Sequence, residues 1–117
     1  MNLIVKSSSI AGRGVFAEQA YCVGEIIEIC PVILFSPEDL ILIEQTILYN
    51  YYFSWEHGQG AIVLGLASLY NHSATPNATY HKDFQAGLVL YRCLSSIHAG
   101  EEITVSYHHG AWFSENS

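Results

Sequence analysis

The stretch Asn71-His72-Ser73-Ala74-Thr75-Pro76-Asn77 follows a run that reads as core, Gly65-Leu66-Ala67-Ser68-Leu69-Tyr70. Polar side chains around a proline make a turn between strands, and taken alone the heptapeptide implies no more than that. Its position directly after an apolar run also suits a loop buried beside a ligand, where polar side chains find partners. What surrounds it decides between the two.

Outward from this stretch, short β-rich segments alternate with glycine turns. Residues 3–5, 15–17, 25–30, 31–35, 61–64, 78–80, 87–94 and 103–107 read as strands, rich in Val, Ile and aromatic residues. Pro31 belongs at an edge or bulge, because it has no N–H to donate to a ladder. Ser36-Pro37-Glu38-Asp39 predicts a helix start: a Ser N-cap, Pro at the first helical position and acids in the first turn. Leu40, Ile43, Ile47 and Leu48 fall near one face, which predicts one helix of two to three turns. Residues 49–55 return to an extended aromatic pattern, and His57-Gly58-Gln59-Gly60 forms a turn. With no repeat or linker, residues 1–117 read as one mostly-β domain.

Composition narrows the partners. Eleven acids against four bases give a formal net charge of −7. A reader of nucleic-acid phosphates needs a Lys/Arg cluster, so no direct nucleic-acid contact is expected. Cationic partners are favoured instead. No apolar run approaches the ~18 residues of a membrane span, and the N-terminus shows no basic head before an apolar stretch. No membrane contact and an intracellular, cytoplasmic location are therefore expected. Cys22, Cys30 and Cys93 form no CxxC pair and read as reduced thiols. The six histidines show no HxxxH spacing, and adjacent His108 and His109 would face opposite sides of a strand, so no metal site is expected.

Four elements occur in a telling order: Gly12-Arg13-Gly14, Asn71-His72-Ser73 with Pro76-Asn77, Glu101-Glu102-Ile103-Thr104-Val105-Ser106-Tyr107, and Trp112. In this combination the chain resembles the SET-domain protein-lysine N-methyltransferases, from about Ile4 to Trp112, and in size the minimal viral and bacterial members. The glycine pair is weak evidence alone, since a tight turn explains it; the Asn71–Asn77 and Glu101–Tyr107 segments are specific.

The resemblance implies a β-clip fold with several small sheets, one short helix and a C-terminal pseudoknot, an exception to unthreaded connections. It implies S-adenosyl-L-methionine as methyl donor, S-adenosyl-L-homocysteine as product, and a lysine of a basic protein, such as a histone, as acceptor. A eukaryotic source would make the location nuclear. Gly12 and Gly14 let backbone approach the methionine part, and Arg13 or nearby amides meet its carboxylate. Asn71 offers both donor and acceptor atoms, the His72 backbone pairs with the adenine edge, and Trp112 stacks on it. Tyr107 is the principal catalytic candidate and also borders the cofactor. Tyr51 matches a lysine-channel tyrosine, with Tyr52 in that role after a one-residue shift. Tyr80 matches a channel tyrosine of monomethylating members, which implies restricted product multiplicity; the small Val105 leaves room and points the other way.

The chain departs from the larger family members in lacking the cysteine-rich closing segment and the long substrate-gripping insertion. With only Trp112-Phe113 to close it, the cofactor site is expected either to stand open or to be closed by the second subunit of a homodimer. The rival readings are a SET-like module that binds cofactor or lysine without turnover, and an unrelated β-rich structural or metal-binding domain.

Overall fold

The computed structural model describes residues 2–107. In chain order the strands are Leu3–Ser7 (β1), Arg13–Ala17 (β2), Ile26–Phe35 (β3), Phe53–Ser54 (β4), Gly60–Val63 (β5), Asn71–His72 (β6), Ala78–Asp83 (β7), Leu88–Cys93 (β8) and Glu102–Val105 (β9). Among the described residues one α-helix, Pro37–Ile43 (α1), and short 3-10 turns at Ile47–Asn50, Glu56–Gly58 and Ala67–Leu69 complete the elements. The strands make two sheets, β1-β2-β9-β6 and β4-β5-β3-β8-β7. The expectation of a mostly-β fold of small sheets with one short helix holds.

Tertiary contacts gather the described residues into two units. The first comprises residues 2–29, 69–81 and 90–106. Its hairpin pairs Leu3 with Ala17 and Val5 with Val15. Period-two alternation sets these four on one face, and Val15 lies opposite Ile103 on β9. Val15, Tyr70, Tyr91, Ile97 and Ile103 are fully buried, each contributing roughly 1.5–3 kcal/mol or more of hydrophobic stabilisation. Tyr70 stacks on Tyr91 with centroids 4.5 Å apart, and the Tyr70 hydroxyl donates to the buried Glu28 carboxylate at 2.7 Å.

β9 decides the topology. It runs antiparallel to β2 and parallel to β6, with Asn71 opposite Thr104 and His72 opposite Val105. A late strand thus lies between an early hairpin and the Asn71 segment, which is the C-terminal crossing that the resemblance implied. Asn71 and His72 are accordingly strand residues rather than part of a turn, and the turn proper follows at residues 73–77. β9 stops at Val105, so Tyr107 lies beyond the strand instead of within it.

The second unit comprises residues 30–68, 82–89 and Tyr107. Here β5 pairs with β3 from Val32↔Val63 to Phe35↔Gly60, and β4 pairs with β5 on its other side. Pro31 lies inside β3, an inner strand between β5 and β8 and not an edge as expected; the β3–β5 register begins one residue later, and the Pro31 carbonyl still accepts from Leu64 N at 2.9 Å. Cys30, Phe53, Trp55, Ala61, Val63 and Val89 form its core, with Phe84 edge-on to Trp55 at 4.9 Å.

The helix starts as predicted: Ser36 Oγ accepts from the Asp39 N–H at 3.1 Å, with Pro37 at the first helical position. It ends sooner than predicted. The Thr46 hydroxyl donates to Ile43 O at 2.7 Å and accepts from Leu48 N at 3.1 Å, competing for groups that a longer helix would use. Ile47 and Leu48 therefore belong to a separate 3-10 turn, Ile47–Asn50, and only Phe53–Ser54 of the expected 49–55 extension is a strand.

Candidate cofactor and catalytic site

Within the first unit, the loop joining β1 to β2 meets β6. Ser8 N donates to Gly12 O at 2.9 Å, closing the loop, and Gly12 adopts φ 45°, a left-handed conformation that glycine takes without strain. Gly14 has a different role. A Cβ there would stand 3.0 Å from Asn71 Nδ2 and would collide with the Glu102 carboxylate. Its missing side chain makes the space in which those two groups meet.

The Asn71 amide nitrogen points into that loop. Nδ2 donates toward Glu102 Oε2 at 2.7 Å, Arg13 O at 3.1 Å, and Ala11 O and Ser8 Oγ at 3.2 Å. An amide nitrogen carries two hydrogens, so these acceptors exhaust it. The donor atoms expected to serve a ligand are thus spent on the protein, and among the described residues no donor reaches Asn71 Oδ1. Arg13 enters through its backbone carbonyl, while its side chain is exposed. His72 follows on the edge strand of the sheet, and Ser73 N donates to Val105 O at 3.0 Å.

Past the turn, Asn77 clamps β9. Its Oδ1 accepts from Thr104 N at 2.8 Å and its Nδ2 donates to Glu102 O at 2.9 Å, as a neighbouring peptide group would. Tyr80, on β7, packs its ring 5.4 Å from that of Tyr91. Gly12, Arg13, Gly14 and Asn71 are therefore brought together by hydrogen bonds and close approach.

Tyr51 and Tyr107 belong to the second unit. Tyr51 follows the 3-10 turn and is 40% exposed, while Tyr52 donates its hydroxyl to Glu44 Oε2 at 2.7 Å. Tyr107 is half-buried, and burial pushes its phenol above the usual tyrosine range. Trp112 lies outside the described residues. Among the described residues no group of three His, Cys, Asp or Glu side chains is placed to hold a metal ion.

The sequence reading missed Ser8 and Glu102. Both resemble ordinary solvated residues in the sequence, one in a serine run and one in an acidic pair beside a turn. Alternation within 102–105 hints that Glu102 shares a face with Thr104, opposite Ile103 and Val105, but only the fold supplies its partners.

The SET domain model matches residues 12–108. A Schizosaccharomyces pombe (strain 972 / ATCC 24843) protein, "Histone-lysine N-methyltransferase, H3 lysine-37 specific", is 34% identical over 116 residues, covering 98% of this chain and 79% of that protein. The crystal structure of a Plasmodium falciparum protein assigned as a histone methyltransferase superposes with TM-score 0.72 at 30% identity, covering 97% of both chains. A Chaetomium thermophilum Polycomb Repressive Complex 2 structure in an autoinhibited conformation, bound to S-adenosylmethionine, superposes with TM-score 0.78 at 19% identity; it covers 94% of this chain and 15% of that one, a likeness of fold. The chain belongs to the SET-domain family, whose members are methyltransferases that use S-adenosylmethionine.

Proposed function

We propose that residues 1–117 work as a single SET domain that transfers methyl from S-adenosylmethionine to a lysine side chain in a basic protein segment. The observation that carries this reading is the Asn71 amide: its nitrogen is fully engaged on the hairpin loop, and Oδ1 has no described donor. A cofactor α-ammonium is the complementary group. Around it, the Gly12-Arg13-Gly14 backbone holds the methionine end and the His72 backbone pairs with the adenine edge; the stacking role that the resemblance gives Trp112 falls outside the described residues.

S-adenosylmethionine supplies an electrophilic methyl group on a sulfonium. The chain's residues prepare the amine. A lysine ammonium has a pKa of about 10.4 and attacks only after losing its proton to solvent. The family resemblance gives Tyr51 and Tyr80 each a lysine-channel role, in which aromatic surface desolvates an amine and lowers that pKa. Tyr107, a phenol that is protonated at neutral pH and that burial shifts further upward, orients the amine by hydrogen bonding rather than acting as a base. Alignment of amine and methyl then supplies much of the rate. Tyr80 also limits how many methyl groups fit, and a product spectrum dominated by trimethyl-lysine at early turnover would remove that role.

The net charge of −7 supports a basic acceptor and argues against direct nucleic-acid contact. The histone specificity of the Schizosaccharomyces pombe relative makes a histone the first acceptor to try. Exposed Ile41, Leu42 and Ile47 in the second unit support a homodimer, which sedimentation tests. An intracellular location is supported by Cys22, Cys30 and Cys93, which form no disulfide; among the described residues no helix is long and apolar enough to cross a membrane. The deciding experiment is transfer of labelled methyl to a basic protein. Loss of transfer in Tyr107→Phe with cofactor binding retained is expected; no transfer to any basic protein would overturn the reading.

A further inference from the structure

Glu102 has no role in the reading above, yet it makes the shortest contact to Asn71. Its Oε1 accepts from Ser8 Oγ at 2.7 Å, and its Oε2 accepts from Asn71 Nδ2 at 2.7 Å. Among the described residues no cation pairs with it. Ser8 in turn accepts from Ile10 N at 2.9 Å, so the same carboxylate anchors the loop whose Ala11 and Arg13 carbonyls complete the Asn71 cage.

The chemistry of the cage sets the direction of the amide. A flipped Asn71 would press Oδ1 against two carbonyl oxygens and a carboxylate, all acceptors. Removing Glu102 deletes the nearest of these acceptors and releases the Ser8 anchor. Gly14 adds an independent observation: any Cβ there would occupy the space that the carboxylate fills. The hairpin is shaped to admit Glu102 as well as a ligand.

We propose that Glu102 is a positioning residue for cofactor binding, its carboxylate holding the Asn71 amide so that Oδ1 faces the α-ammonium of the cofactor. This rests on the function proposed above. Glu102 acts through Asn71, and the two side chains are energetically coupled.

The test is calorimetric titration with S-adenosylhomocysteine of the wild type, Asn71→Ala, Glu102→Ala, Glu102→Gln and the Asn71→Ala/Glu102→Ala double variant. Loss of a charged hydrogen bond predicts a weakening of roughly tenfold or more in Glu102→Ala. The double variant should bind no more weakly than Asn71→Ala alone. Glu102→Gln keeps an oxygen for Asn71 and an amide that Ser8 Oγ can accept, so it should stay within about threefold of wild type. Equal losses from Glu102→Ala in both backgrounds would overturn the proposal, as would a folded Glu102→Gln that binds as poorly as Glu102→Ala. Should Glu102→Ala fail to fold, NMR of the Asn71 side-chain amide decides: its protons should resist hydrogen exchange in the wild type and in Glu102→Gln, and rapid exchange in the wild type would refute the lock. A wild type that binds no S-adenosylhomocysteine would instead defeat the proposed function, and the exchange measurement would still judge the Glu102–Asn71 contact.

Discussion

Asn77 and Thr104 hold each other reciprocally: Thr104 N donates to Asn77 Oδ1 at 2.8 Å, and Asn77 N donates to Thr104 Oγ1 at 3.3 Å. With the Nδ2 bond to Glu102 O, the Asn77 side chain satisfies two backbone groups of β9. Asn77→Ala should therefore lower stability by about 2–4 kcal/mol, since each part-buried group that loses its partner costs about 1–2 kcal/mol. Urea denaturation measures it, and a change below about 0.5 kcal/mol would show that the clamp adds nothing.

Gly14→Ala should weaken S-adenosylhomocysteine binding. The added methyl meets Asn71 Nδ2 and the Glu102 carboxylate, so both must move. Overpacking of this kind costs about 1–3 kcal/mol, roughly a 5- to 150-fold rise in Kd when the strain is relieved at the site. Unchanged binding would mean that the loop shifts freely.

Tyr107→Phe should leave the fold and cofactor binding in place while methyl transfer falls by roughly 100-fold, as expected when the reacting groups lose alignment. The loss should appear in kcat more than in KM for the acceptor. Single-turnover transfer from bound labelled cofactor is the measurement.

Tyr70→Phe keeps the ring on Tyr91 but removes the hydroxyl bonded to the buried Glu28 carboxylate. The expected cost is about 1–3 kcal/mol, read from the shift in thermal midpoint. A neutral outcome would show that the remaining surroundings of Glu28 absorb the change.

Tyr52 provides a pH prediction. Burial first, then the hydrogen bond to Glu44 and the Glu44 and Tyr49 charges, push its phenol up to about 12. The folded state favours the protonated form. That stability is fully present below the ordinary tyrosine pKa of about 10 and is lost as pH rises through the folded value. Ultraviolet titration should show a late phenol that disappears in Tyr52→Phe, and that variant should lose less stability between pH 10 and 12.

Local rules reached much of this architecture. Ser36-Pro37 marked the helix start because capping is a matter of adjacent residues, and β-branched runs marked β1, β2 and β9 because side-chain alternation is local. The end of α1 was not legible, since Thr46 can continue a helix or terminate it by bonding Ile43 O, and periodicity of apolar residues favours the former. Asn71 stood out as a candidate through its motif, but the direction of its amide was not legible. That depends on Ser8, Ala11, Arg13 and Glu102, which the sequence places far away. Gly14 was read as clearance for a ligand, whereas the fold also uses it as clearance for Glu102.

The bonds around Asn71 join residues separated by 63, 31 and, between Ser8 and Glu102, 94 positions. Such distant closures are entropically late events in folding. During synthesis β6 emerges long before its neighbour β9, so a growing chain that stops short of residue 102 carries the Asn71 motif without its frame. On the function proposed above, cofactor binding then reports completion: a chain holds the methyl donor only once β9 has joined the β1–β2 hairpin to β6.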